Sequence, residues 1–332
     1  MVEQKKLFEV LRSKLPDQFN MIVQLEELLH IGTNAIYRRV RGDTALTFRE
    51  LVLICQKFGI SLDEIFNLNV NRGALFRYAP VNFTEQESYI AYINRLSDSL
   101  AFYKATPDTE ILITALDIPF FYFLNYTDLM FFKLYAWNDT VTHTTITYEK
   151  FCNTLNKQKI IPVYQQMAKT WKLIPSKEIW TKQTLCTVLR LLEYYADTDA
   201  FEKKETVRSL LSQMNSLMND IKKYADEGFK GMKTPFHLYL CNVDFDNNFM
   251  LIKRGGEKSC TIRLFTVNSI LTEHRELCDE TEKWINDMIM KSTLISETSA
   301  KARANFFKFA QNEIDALSSK IAPLGGINKY TK

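Results

Sequence analysis

Apolar positions in the first 70 residues recur with helical spacing between short polar breaks. Leu7, Phe8, Leu11 and Leu15 share one face of a helix over about 4–15, which Pro16-Asp17 ends. Ile22, Leu25, Leu28 and Leu29 predict a second helix over about 20–29, with Asn20 as its N-cap. Ile36 and Val40, four apart, predict a third over about 33–41, and Gly42 follows its last residue as expected of a helix C-terminus. Thr47 with Glu50, and Ser61 with Glu64, have the spacing of capping boxes. In such a box the hydroxyl and the carboxylate satisfy amide donors at a helix start. They open a fourth helix burying Leu51, Ile54, Cys55 and Phe58, and a fifth burying Leu62, Ile65 and Phe66.

Beyond residue 67 the pattern is less regular. Residues 68–83 read as a linker, and Thr84 with Glu87 opens a helix to about 103. Residues 110–116 are β-branched and apolar and read as a strand, 125–137 as an aromatic helix, and 148–228 as helical with breaks at Pro162, Pro175 and Gly228. After Pro235 the period changes: 236–245, 249–254 and 259–267 read as three strands, with Gly255-Gly256 in a hairpin turn. Helices over about 280–294 and 297–321 follow, and 322–332 reads as a flexible tail. The predicted fold is mainly α with a small α+β part. A five-helix domain spans 1–67, and a helical region with a short antiparallel sheet flanked by helices spans 84–321.

Composition supports helices over an all-β or disordered chain: 23 Phe and 15 Tyr stand against 10 Gly and 8 Pro in 332 residues. The net charge of +3 supplies no global basic field, so any contact with nucleic acid has to come from a local patch. Such a patch is present. Residues 30–42 carry Arg38, Arg39 and Arg41 and no acid, although residues 1–70 hold nine basic and nine acidic residues and sum to zero. A helix with Ile36 and Val40 inward turns Thr33, Asn34, Tyr37, Arg38 and Arg41 outward. By charge alone, a short helix with three arginines is more often a solvated face.

The run from Leu29 and Ile31 through Ile36, Arg38 and Arg41-Gly42 to the two capped helices resembles the helix-turn-helix of Xre-type, phage-repressor-like transcription regulators. The segment Tyr37-Arg38-Arg39-Val40-Arg41-Gly42, then Ala45-Leu46-Thr47-Phe48-Arg49-Glu50-Leu51, is especially similar to large regulators of Bacteroidetes-type bacteria. Ala115-Leu116-Asp117-Ile118-Pro119-Phe120 resembles their downstream region. The resemblance implies a recognition helix in the major groove of double-stranded DNA, its N-terminal residues meeting base edges. Thr33, Asn34, Tyr37 and Arg38 would then contact bases, with Asn suited to adenine and Arg to guanine. Arg39, Arg41 and Arg49 would bind phosphates, which position a protein without reading sequence. The chain departs from the family pattern in having Gly32 where a Ser or Thr cap is common. It also lacks the Ser-Gln opening of the second helix, so Gln18 or Asn20 would supply that phosphate contact.

Other chemistry finds little support. The six cysteines form no Cys-x-x-Cys pair and suit a reducing cytoplasm. His30, His143, His237 and His274 lack metal spacing, and Asp244, Asp246 and Asn248 lack the glycine and distal glutamate of a calcium loop. The expectation is no enzyme, no metal, no cofactor, no signal region and no membrane span. The C-terminal region is expected to dimerise, or to sense a small-molecule or protein effector. The alternative is a protein-interaction or assembly module on a non-functional helix-turn-helix scaffold.

Overall fold

A computed structural model describes residues 2–15, 18–66, 73–82, 85–246, 248–265 and 267–321; of residues 2, 13, 14, 18, 19, 63 and 64 it describes the backbone alone. The chain divides into two compact units, Met1–Leu75 and Phe76–Lys332.

The first unit holds five helices: α1 (Val2–Lys14), α2 (Gln18–Leu29), α3 (Thr33–Arg41), α4 (Phe48–Phe58) and α5 (Leu62–Phe66). Their apolar stripes meet in one core of Leu7, Phe8, Leu11, Leu25, Ile36, Val40 and Ile54, with Met21, Ile22, Ile60 and Ile65 completing it. Leu29, Ile31, Leu51 and Phe58 pack around its edge. The turn between α2 and α3 places His30 at φ 53°, a left-handed conformation uncommon for a residue with a Cβ. Gly42 ends α3 at φ 82°, and its amide and its neighbours return to the carbonyls of Arg38 and Arg39. Both capping-box bonds of α4 are present, Thr47 N donating to Glu50 Oε2 at 2.8 Å and Glu50 N to Thr47 Oγ1 at 3.3 Å. The Glu64 half of the second box, and Thr84 of the third, lie outside the described residues.

The second unit corrects the predicted fold class. It is built on a nine-stranded mixed sheet, not a short antiparallel one. Its strands are β1 (Arg77–Tyr78), β2 (Glu110–Ala115), β3 (Ser176–Trp180), β4 (Phe229–Lys230), β5 (Thr234–Leu240), β6 (Phe249–Arg254), β7 (Glu257–Arg263), β8 (Ser269–Thr272) and β9 (Thr293–Leu294). Their order is β1-β8-β7-β6-β2-β3-β5-β4, with β9 also on β5. The central pairs β2–β3 and β3–β5 are parallel and the others antiparallel. Parallel neighbours need long crossovers. Here α7 (Thr127–Thr142), α8 (Tyr148–Thr154) and α9 (Lys157–Trp171) link β2 to β3, and α10 (Lys182–Asp197) and α11 (Lys204–Glu227) lead on to the last strands.

Helix α6 (Gln86–Ala105), the crossover helices and α13 (Ala300–Ile321) contribute to a large core with Ile111, Ile113, Trp180, Phe236 and Leu238 from one sheet face. The other face, with Leu112, Ile179, Leu251 and Cys260, packs on Cys278, Ile285 and Met288 of α12 (Arg275–Met290). The expected helical run 148–228 is therefore broken by β3, the middle strand of the parallel set. Three strands of two residues each are also not predicted: Arg77–Tyr78 sits within the segment read as a linker, Phe229–Lys230 follows the predicted helical run, and Thr293–Leu294 is at the end of a predicted helix; β8 (Ser269–Thr272) likewise lies beyond the last predicted strand. The predicted 125–137 helix is α7, which starts at Thr127 and runs on to Thr142, and a 3-10 turn over Phe120–Asn125 precedes it.

Ionisable groups enter this second core. Lys133 and Asp117 pair at 2.5 Å with side chains 3% and 6% exposed, and Arg263 lies 3.6 Å from the same carboxylate oxygen. Burial lowers the Lys133 pKa, against the opposing pull of Asp117. Glu178, fully buried on β3, accepts hydrogen bonds from Tyr122 Oη at 2.6 Å, Ser176 Oγ at 3.0 Å and Trp180 Nε1 at 3.1 Å. Lys230 donates to Ser176 Oγ at 2.8 Å and stands 3.9 Å from the Trp171 ring centre. Burial raises the Glu178 carboxyl and lowers Lys230 to about 7.

Candidate nucleic-acid interface

The candidate interface is the outer face of α3. Ile36, 1% exposed, and Val40, 5% exposed, hold its inner face on the core. With that face fixed, the 3.6-residue period turns Thr33, Asn34, Tyr37, Arg38 and Arg41 to solvent, and all five are exposed. They form one continuous polar stripe from the first turn of the helix to the last. The helix starts without a side-chain cap, because its N-cap is Gly32 at φ −70° and ψ 159°. Its first-turn amides consequently lie uncovered by any cap hydroxyl, beside Thr33 and Asn34.

Arg39 has a different place. Its guanidinium turns toward α4, pairing with Glu50 at 2.8 Å and donating to the Ala35 carbonyl at 3.2 Å, with a side chain only 15% exposed. Partial burial pushes Glu50 up, but the hydrogen bonds from Arg39 and Thr47 outweigh it, and its pKa lies below the ordinary carboxylate value. Arg39 is thus a strut between α3 and α4 and does not join the exposed stripe. Arg41 is exposed and shares its charge with Asp43 at 3.0 Å. A surface pair of this kind is worth about 0–1 kcal/mol, so Arg41 can exchange Asp43 for a phosphate at small cost. Arg49 is exposed in the first turn of α4. On α2, Asn20 is exposed and accepts a bond from Gln24 at 2.8 Å, while the Gln18 side chain lies outside the described residues.

One residue that organises this surface escaped the sequence reading. Gln4 on α1 donates to the carbonyls of Arg39 at 2.6 Å and Thr44 at 2.9 Å, and accepts from the Leu46 amide at 2.9 Å. A single amide side chain thereby ties the end of α3 and the loop to α4 back to α1. Its signal was available: Gln4 precedes Leu7, Phe8 and Leu11 at i+3, i+4 and i+7, so it is a polar residue inside an apolar stripe. Phe48, 80% exposed at the first position of α4, was likewise not anticipated.

No helix among the described residues is long and apolar enough to cross a membrane, and those residues hold no group of three His, Cys, Asp or Glu placed to bind a metal. Comparison with known proteins returns no match, whether to a family model, a curated protein or a solved structure.

Proposed function

We propose that the chain is a sequence-specific regulator of transcription that lays α3 in the major groove of double-stranded DNA. The observation that carries this reading is the division of labour on α3. Ile36, Val40 and Arg39 anchor the helix, while Thr33, Asn34, Tyr37, Arg38 and Arg41 have no part in the core. An anchored helix with a free face of amide, hydroxyl and guanidinium groups supplies the donors and acceptors that base edges and phosphates require. Thr33, Asn34, Tyr37 and Arg38 read bases. Arg41 and Arg49, with Asn20 and Gln18 from α2, hold phosphates. The second unit dimerises the protein or senses an effector, because one reading head binds a half-site weakly and two-fold duplication supplies affinity and spacing.

The test is selection of bound duplexes from a random library at one fixed salt concentration, with wild type and with Arg38→Ala/Arg41→Ala. The expected result is an enriched motif that the variant loses. Arg38→Ala or Asn34→Ala alone should each cost about 1–3 kcal/mol at its base position. Two half-sites one helical turn apart would support the dimer, as would sedimentation as a dimer at micromolar concentration. Equal enrichment by wild type and variant would overturn the assignment of α3.

A further inference from the structure

A groove of about 250 Å³ runs between α10 and α13 on the second unit. The two helices lie side by side in the same sense. Lys182 sits over the Phe309 ring at 5.1 Å, Glu313 bears on Cys186, and Lys320 bonds Glu193, so each residue of α10 faces one a constant distance further along α13. Leu189, Ala316 and Leu317 line the groove between them.

Its charges are unevenly used. At one end Lys320 is closed off by Glu193, and Asp197 lies at 3.5 Å. Further along the groove, Arg190 on α10, which faces Leu317 in this register, and Glu313 on α13, which faces Cys186, stand one turn apart, and neither has an ion-pair or hydrogen-bond partner among the described residues. Both act on the half-buried Cys186 thiol. Burial raises its pKa, Glu313 raises it further and Arg190 opposes them, which places one free cation and one free anion around the same sulfur.

A guanidinium with all its donors open binds a carboxylate in bidentate fashion, and a free carboxylate takes an ammonium. Between them lies an apolar wall. The volume is below the roughly 300–1,000 Å³ of sites for drug-sized ligands, which sets the occupant's scale.

We propose that this groove is a ligand site for a free α-amino acid with an apolar side chain, its carboxylate on Arg190, its ammonium on Glu313 and its side chain against Leu189 and Leu317. This deepens the reading of the second unit as an effector module. Only its regulatory consequence rests on that reading, because binding is measured without DNA.

The experiment is calorimetric titration of the full chain with glycine, alanine, valine, leucine, isoleucine and methionine, each as the free L-amino acid. At least one apolar member should bind. Its deaminated acid and its decarboxylated amine should each bind at least about tenfold more weakly, as should the variants Arg190→Gln and Glu313→Gln. The bound amino acid should also slow alkylation of Cys186 by iodoacetamide, read by mass spectrometry on the unmodified chain, independently of any variant's folding. Absence of heat from every amino acid together with unchanged Cys186 labelling would overturn the proposal. So would binding that both variants retain. If an amino acid binds but no DNA motif is enriched, the site stands and the DNA-binding reading falls.

Discussion

Among the described residues the five-helix unit buries no polar or charged side chain, whereas the sheet unit encloses Asp117 with Lys133 and Glu178 with Lys230. The same residue types therefore do opposite work. In the small unit Arg38 and Arg41 stay in water and remain available for a partner. In the large unit the cations are spent on internal partners, where removing one member strands the other in a low-dielectric core. The contrast teaches where to look for function in each unit: at the whole outer face of α3 in the first, and in the second at the ionisable groups that its core and its ion pairs leave over, such as Arg190 and Glu313.

The largest test of this contrast is Asp117→Ala. It strands Lys133 and should lower the stability of the sheet unit by about 3–5 kcal/mol in denaturant unfolding, while Asp117→Ala/Lys133→Met recovers much of the loss. A loss no larger than that of an exposed pair would remove the distinction between the units. Next is pH. Lys230 titrates at about 7 in the fold and at 10.5 in the unfolded chain, so between those values the unfolded chain holds more protons and stability rises with pH. The stability of wild type relative to Lys230→Met should climb from about pH 7 to about pH 10 and be flat below. A difference that stays flat over that window would mean that Lys230 keeps its charge in the core.

In the five-helix unit, Gln4→Ala should cost about 1–3 kcal/mol, since three polar backbone groups lose their partner. Arg38→Ala should leave thermal unfolding unchanged. Comparing the two variants for stability and for DNA binding separates a residue that holds the surface from one that meets the ligand. The smallest effect belongs to Asp43→Ala. Releasing Arg41 should change stability by no more than about 1 kcal/mol, and should tighten DNA binding slightly by removing a competing anion.

The legibility of the two units follows the same division. In the first, the signals are local. Ile36 and Val40 are one turn apart, Thr47 and Glu50 lie three apart, and Gly42 supplies its own φ, so the exposed face of α3 follows from periodicity alone. The inward turn of Arg39 was not legible, because its partner Glu50 sits eleven positions away on another helix. In the second unit the decisive contacts are distant in sequence. Residues 176–180 fall within a region whose pattern reads as helical, just after the break marked by Pro175. Glu178 is tolerated inside a strand only because Tyr122, Ser176 and Trp180 bond its carboxylate, and one of these lies 56 residues away. A parallel strand has no hairpin turn to announce it, and a period of two is hard to see over the five residues of β3. The antiparallel strands β6 and β7, joined at Gly255-Gly256, were legible for the converse reason.

The position of β2 has a consequence for synthesis. It pairs on one side with β3, which ends at Trp180, and on the other with β6, which ends at Arg254. The first strand of the unit, β1, pairs with β8, at residues 269–272. Almost the whole unit must leave the ribosome before its sheet can close, and loop closure over such separations makes folding slow. The five helices need only nearby contacts and are complete two hundred residues earlier. A nascent chain would thus present a folded five-helix unit while its sheet is still open, and a stop codon anywhere between would release that unit with no closed sheet behind it.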